Sequence, residues 1–126
     1  HQRLKSGGRA GIQAITIEDN SFESYARKVD YIQRYIFPGC MLPAISVLKD
    51  VTHQAGLSWA NTLSFGKDYA HTLQHWHDRF LDVWPRIQEL GFDERFRLLW
   101  TYYFAYCEAG FRAGTIDVHQ ITLEKS

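Results

Sequence analysis

Tyr69 stands in the run G-K-D-Y-A-H-T-L-Q-H-W, Gly66 to Trp76, at the mouth of a helix rather than midway along an apolar stripe. A phenol in that position can donate a hydrogen bond to a bound anion. The ordinary alternative is a buried tyrosine whose hydroxyl is satisfied inside the core, and on the residues alone that is the first reading. His71, His75 and His77 invite a metal reading. On a helix, however, His71 and His75 share a face while His77 points roughly opposite, so three cannot meet one ion, and surface histidines are the expectation. Glu108 and Arg112, four apart near a helix end, read as an ion pair. Cys107 has no paired base in the sequence and reads as a small apolar wall rather than a nucleophile. Arg95 and Arg97 flank Phe96, where solvated charge is the first reading and contact with lipid phosphates the second.

The run Y-I-F-P-G-C-M-L-P, Tyr35 to Pro43, is rigidified by two prolines and a glycine, yet it is strongly apolar. It reads as the wall of an apolar binding site. Helical spacing places further apolar groups nearby: Tyr103, Cys107 and Phe111 fall at i, i+4 and i+8, and Leu73 lies one turn after Tyr69. Two helix faces can therefore converge with Phe37 and Leu42 of the loop. Composition alone assigns such an aromatic stripe to the core.

Elements that would hold these groups follow from periodicity. Arg9 to Ile17, after the Gly7-Gly8 turn, is a short isoleucine-rich run that predicts a buried strand. Phe22, Tyr25, Val29, Ile32 and Ile36 predict a helix interrupted near Asp30 and stopped by Pro38. A second helix runs from Pro43, with Ile45, Leu48, Val51 and Ala55 on one face and Gly56 as its cap. Leu57 to Ser64 is a weaker strand. Asp68 is expected to cap a helix carrying Tyr69, Leu73, Trp76 and Phe80, which Pro85 limits or restarts and Gly91 ends. The strongest helix extends from Asp93 through Trp100 and Cys107 to the Gly110–Gly114 region, and Ile116 to Leu123 is the last strand.

The chain has 126 residues, enough for one compact domain, with 14 basic and 14 acidic residues and a formal charge of zero. No electrostatic footprint for nucleic acid is present, so nucleic acid is not an expected partner. Cys40 and Cys107 lie in different motifs without metal spacing or secreted-scaffold density, which favours a reduced, cytoplasmic setting. No apolar run reaches the ~20 residues needed to span a bilayer. Any contact with the inner membrane is then peripheral.

Three motifs, Tyr35–Pro43, Gly66–Trp76 and Y-Y-F-A-Y-C-E-A-G-F-R from Tyr102 to Arg112, together with the G-G-R-A-G-I-Q-A-I-T-I opening, resemble the C-terminal part of the cyclopropane fatty acid and mycolic acid cyclopropane synthases. The resemblance covers nearly the whole chain. It implies an α/β fold: the C-terminal half of a Rossmann-like class I methyltransferase domain, about three strands with flanking helices, an incomplete sheet whose final strand runs antiparallel. Residues 1–126 then form a single domain that is a C-terminal fragment of a lipid methyltransferase catalytic domain. The E-x-G-x-G-x-G cofactor turn of such enzymes does not occur in these residues, so no cofactor is expected to bind this chain alone.

What the resemblance implies for function is transfer of a methylene group from S-adenosylmethionine to the double bond of an unsaturated phospholipid acyl chain. Bicarbonate would act as the base. Its implied holders here are Tyr69, Gln13 and the backbone of Ile15, with glutamine where many relatives carry histidine, a side chain that cannot titrate near neutral pH. Phe37, Leu42, Leu73, Tyr103, Cys107 and Phe111 are implied to line the substrate channel. A non-catalytic lipid-binding or assembly module, or a methyltransferase with another substrate, are the alternatives. Cutting a doubly wound sheet leaves an apolar strand edge, so homo-oligomerisation is expected.

Overall fold

The computed structural model describes residues 3–125. Three strands form one sheet: β1 (Arg9–Ile17), β2 (Leu57–Ser64) and β3 (Ile116–Lys125), in the order β1-β3-β2. The last strand lies in the middle and is antiparallel to both neighbours, with registers running from Arg9↔Glu124 to Ile17↔Ile116 and from Leu57↔Lys125 to Ser64↔His119. A bulge between Trp59 and Asn61 interrupts the β2 pairing. At the entry to β1, Gly7 adopts φ 71°, which only glycine takes at no steric cost. That turn lets Gly7 N–H donate to Lys125 O at 2.8 Å and Gly8 O accept from Lys125 N–H at 2.9 Å, locking the register of the outer pair.

Six helices join the strands: α1 (Asp19–Ala26), α2 (Tyr31–Tyr35), α3 (Ile45–Gln54), α4 (Gly66–Asp82), α5 (Trp84–Glu89) and α6 (Glu94–Ala113). The interruption expected near Asp30 is a helix start. Asp30 Oδ1 accepts from Gln33 N–H while Gln33 Oε1 accepts from Asp30 N–H, a capping box that begins α2. Asp93 caps α6 through Phe96 N–H at 2.9 Å, and Gly114 closes it with φ 77°. Pro85 restarts the chain as α5, as its position predicts.

One start signal differs. Asp68 lies in the first turn of α4 and is not its cap; Phe65 occupies the cap position and offers no side-chain acceptor. The acceptor comes instead from β3, where Asp117 Oδ1 takes the N–H groups of Gly66 and Val118, each at 2.8 Å. The carboxylate sits 51 residues away in sequence, so no local pattern announces it.

Helices cover both faces of the sheet. Val118, fully buried, packs with Ala70 and Leu73 of α4 and Phe104, Cys107 and Phe111 of α6. Ile121 and Leu123, odd-numbered where Val118 is even, point to the other face and are buried as well. That face carries Trp59, the register partner of Leu123, over which Lys49 of α3 lies. The arrangement is the layered α/β build predicted from the sequence. β1 pairs with β3 on one edge; among the described residues its other edge is met only at the end, where Ile17 N–H donates to Pro43 O at 3.1 Å.

Across all three strands, buried His119 joins hydroxyls on either side: its Nδ1 lies 2.7 Å from Ser64 Oγ and its Nε2 3.0 Å from Thr16 Oγ1. This ladder ties β2 and β1 to the central strand. Among the described residues no helix is long and apolar enough to cross a membrane.

Candidate functional site

Tyr69 sits in the first turns of α4, its N–H bonded to Phe65 O at 3.0 Å. Its ring stands edge-on to Phe111 of α6, centroids 5.1 Å apart, and to Trp76 one heptad along its own helix, at 5.9 Å. Edge-to-face contacts of this kind fix a ring's orientation as well as burying it. Burial, and after it the neighbouring Cys107, pushes the Tyr69 phenol up from its ordinary value. It is therefore a neutral donor across the physiological range.

The apolar loop is held against this pair of helices by several backbone anchors. Phe37 N–H returns to Ile32 O at 2.8 Å, and Gly39, with φ 83°, allows the turn that brings Cys40 N–H onto Phe37 O. Gln33 Nε2 donates to Cys40 O at 3.0 Å, and the Tyr25 hydroxyl accepts from Leu42 N–H at 3.2 Å. Pinned in this way, Phe37 meets Tyr103 edge-on at 5.8 Å, although about half of Phe37 remains exposed.

Between the loop, α4, α6 and β1 lies a cavity of about 170 Å³. Tyr69 and Leu73 line it from α4, Tyr103, Cys107 and Phe111 from α6, Phe37 and Leu42 from the loop, and Ile15 from the strand. Eight of the nine residues singled out in the sequence thus share one space. Ile32, Cys40 and Ile116 complete the wall. Ile32 carried the helix periodicity and Cys40 lay within the apolar loop, so both had a signal. Ile116 opened a strand and had none that pointed inward.

The wall is uncharged. Burial is the first cause that pushes Tyr103 up to about 12 and Cys107 up to about 12, and it raises Cys40 also. A thiol so protected is no nucleophile at neutral pH. The cavity therefore offers apolar surface with phenol and thiol groups that stay protonated, which suits an apolar ligand and one or two hydrogen bonds.

Gln13 is the exception. Exposed on β1 two residues before Ile15, it lies outside the cavity wall, and its Oε1 accepts from Nε2 of its register partner Gln120 at 3.1 Å. Ile15 is better placed: Ile17 N–H points to the outer edge of β1 toward Pro43, and backbone groups two residues apart point the same way. Ile15 N–H therefore faces that edge while its side chain enters the cavity. Tyr69 and Ile15 thus line the same cavity, whereas Gln13 does not reach it.

Away from the cavity, Arg112 Nε bonds Glu108 Oε1 at 2.7 Å, the ion pair predicted by their spacing. His71 and His75 are exposed, whereas His77 stacks on Phe104 at 5.7 Å. Arg97 pairs with Glu94. The described residues form no glycine-rich strand-to-helix turn, and so hold no S-adenosylmethionine cradle of that design.

Residues 1–121 match the family described as mycolic acid cyclopropane synthetase. A tuberculostearic acid methyltransferase of Mycobacterium tuberculosis is 42% identical over 123 residues, covering 97% of this chain and 29% of that protein. The cyclopropane-fatty-acyl-phospholipid synthase of Escherichia coli is 36% identical over 97 residues, 75% of this chain and 24% of that protein. Among solved structures, a mycolic acid cyclopropane synthase complexed with SAH and CTAB superposes with a TM-score of 0.89 at 27% identity, covering 99% of this chain and 47% of that one. The chain thus spans 24% to 29% of these curated relatives and about half of the solved structure.

Proposed function

The chain belongs to the mycolic acid cyclopropane synthetase family, and on that premise we propose that it forms the substrate-channel and active-site portion of an S-adenosylmethionine-dependent lipid methyltransferase. In this reading residues 1–126 are the C-terminal part of the catalytic domain, and the substrate is an unsaturated acyl chain of a phospholipid. The observation that carries it is the convergence of Tyr69, Ile15 and the apolar residues of three motifs on one uncharged cavity.

When bound elsewhere in the whole protein, the cofactor supplies an electrophilic sulfonium methyl, and a bicarbonate ion supplies a proton acceptor. This chain's residues do the rest. Phe37, Leu42, Leu73 and Phe111 enclose the acyl chain, each buried methylene contributing roughly 0.8 kcal/mol. The rings of Tyr69, Tyr103 and Phe111 face the carbocation that forms at the former double bond and keep water from it. The Tyr69 phenol and the Ile15 N–H hold the anion where the departing proton must go. Loss of that proton with closure of the new carbon–carbon bond gives a ring. Loss without closure gives a methylene branch.

The second outcome has a specific observation behind it, the 42% identity to a tuberculostearic acid methyltransferase. A methylene-branched product, which becomes a methyl branch only when a separate two-electron reductant acts on it, is therefore the second reading, with the same cavity and the same proton acceptor.

Tyr69→Phe in the whole protein tests the proposal, because it removes one hydroxyl and leaves the ring packing. Turnover on unsaturated phospholipid should fall by about two to three orders of magnitude, the usual effect of removing a positioned hydrogen-bond donor. Affinity for the cofactor should hardly change. Wild-type turnover in the variant would make Tyr69 a packing residue only.

A further inference from the structure

A second chamber adjoins the Tyr69 cavity. It measures about 390 Å³, and Ile32, Leu42 and Ile116 line both spaces, so these three side chains stand between them. The second chamber exists because α6 presents small residues there, Ala109, Gly110 and Ala113, where its other face carries Phe104, Cys107 and Phe111 in the core. A Cβ at Gly110 would already approach Ile116 Cδ1 to 3.1 Å. Its lining is mostly apolar by area, with Tyr25 and Tyr106 among the walls and Ser21, Asp30 and Thr115 as its other polar residues.

Size decides what the second chamber is for. A cavity of about 150 Å³ accommodates a six-carbon ring, so 170 Å³ holds a short stretch of an acyl chain and no more. The remainder must leave for water, losing the burial energy of each methylene, or continue into apolar space. The side chains that line both spaces, Ile32, Leu42 and Ile116, are aliphatic and have rotamer freedom.

We propose that the 390 Å³ chamber receives the continuation of the acyl chain, with Ile32, Leu42 and Ile116 as a partition and the small residues of α6 setting the longest chain that can be buried. The inference rests on the acyl reading of the Tyr69 cavity. Ala109 and Ala113 are exposed helix positions outside the core, so leucine there fills the chamber without disturbing the fold.

The test measures binding of alkyltrimethylammonium probes of increasing length to the whole protein by calorimetry. Affinity should rise about fourfold per added methylene until both chambers are filled, then level off. In the double variant Ala109→Leu/Ala113→Leu the levelling should come several carbons earlier, while the shortest probes bind as before. Leu42→Ala, which thins the partition, should keep or improve binding of the long probes. The same levelling point in wild type and double variant would overturn the second chamber while leaving the Tyr69 cavity as an acyl site. No saturable binding at any length would overturn the acyl reading itself, and this inference with it.

Discussion

At the scale of single residues, the cavity depends on groups that are kept neutral. Cys107 and Tyr103 are each pushed up to about 12, chiefly by burial, from ordinary values of 9.0 and 10.0. The sign of the consequence is fixed by linkage. Below pH 9 both states hold the thiol proton; above it the unfolded chain loses that proton first, so stability falls as pH rises toward 12. Denaturant melts from pH 8 to 11 should show this decline, and Cys107→Ala should flatten its lower part. A wild-type slope in the variant would mean that another group carries the effect. Thiol alkylation gives a parallel check, with Cys40 modified ahead of Cys107 in the folded protein because only Cys40 is partly exposed. The spacing of Tyr103, Cys107 and Phe111 made this wall legible, since one helix face must present all three. The partner across the cavity, Ile15, was reached through the family resemblance, because nothing in a strand's own pattern says which face meets a cavity.

At the scale of elements, most boundaries were written locally. The Asp30 capping box, Pro38, Pro85 and the glycines at 56 and 114 act on their own neighbours, so each start or stop could be read from a few residues. The start of α4 could not, because its acceptor is Asp117 of β3. Asp117→Ala should therefore cost about 1 kcal/mol of stability, the usual loss for a helix cap, whereas Asp68→Ala should stay within about 0.5 kcal/mol as an exposed surface change. Urea melts of the two variants separate them; equal effects would return the cap to Asp68. Gly66 is part of the same device. A Cβ there would come within 2.5 Å of Asp117 Oδ1, so Gly66→Ala must displace the capping carboxylate and should destabilise at least as much as Asp117→Ala. The Ser64–His119–Thr16 ladder was likewise invisible in sequence, since its members lie 55 and 103 residues apart.

At the scale of the whole molecule, the layered build with an antiparallel central strand places the Tyr69 cavity on one face of the sheet, beside the open edge of β1. That edge, with Ile12 exposed on the strand, is an incomplete surface of the kind a partner usually covers. The 126-residue chain by itself should accordingly self-associate, and light scattering at micromolar concentration should report a dimer or larger species. A monomer of ordinary thermal stability would show that the described sheet is sufficient on its own. The central claim, that the cavity takes an unsaturated acyl chain, is tested most directly by photolabelling the whole protein with a phospholipid bearing a diazirine near its double bond. Peptide mass spectrometry should place saturable label on residues 36–42 and on α6 around Tyr103, Cys107 and Phe111, and unlabelled unsaturated phospholipid should compete it away. Label confined to the exposed Tyr102 and Leu98 surface, or label that no phospholipid displaces, would contradict it.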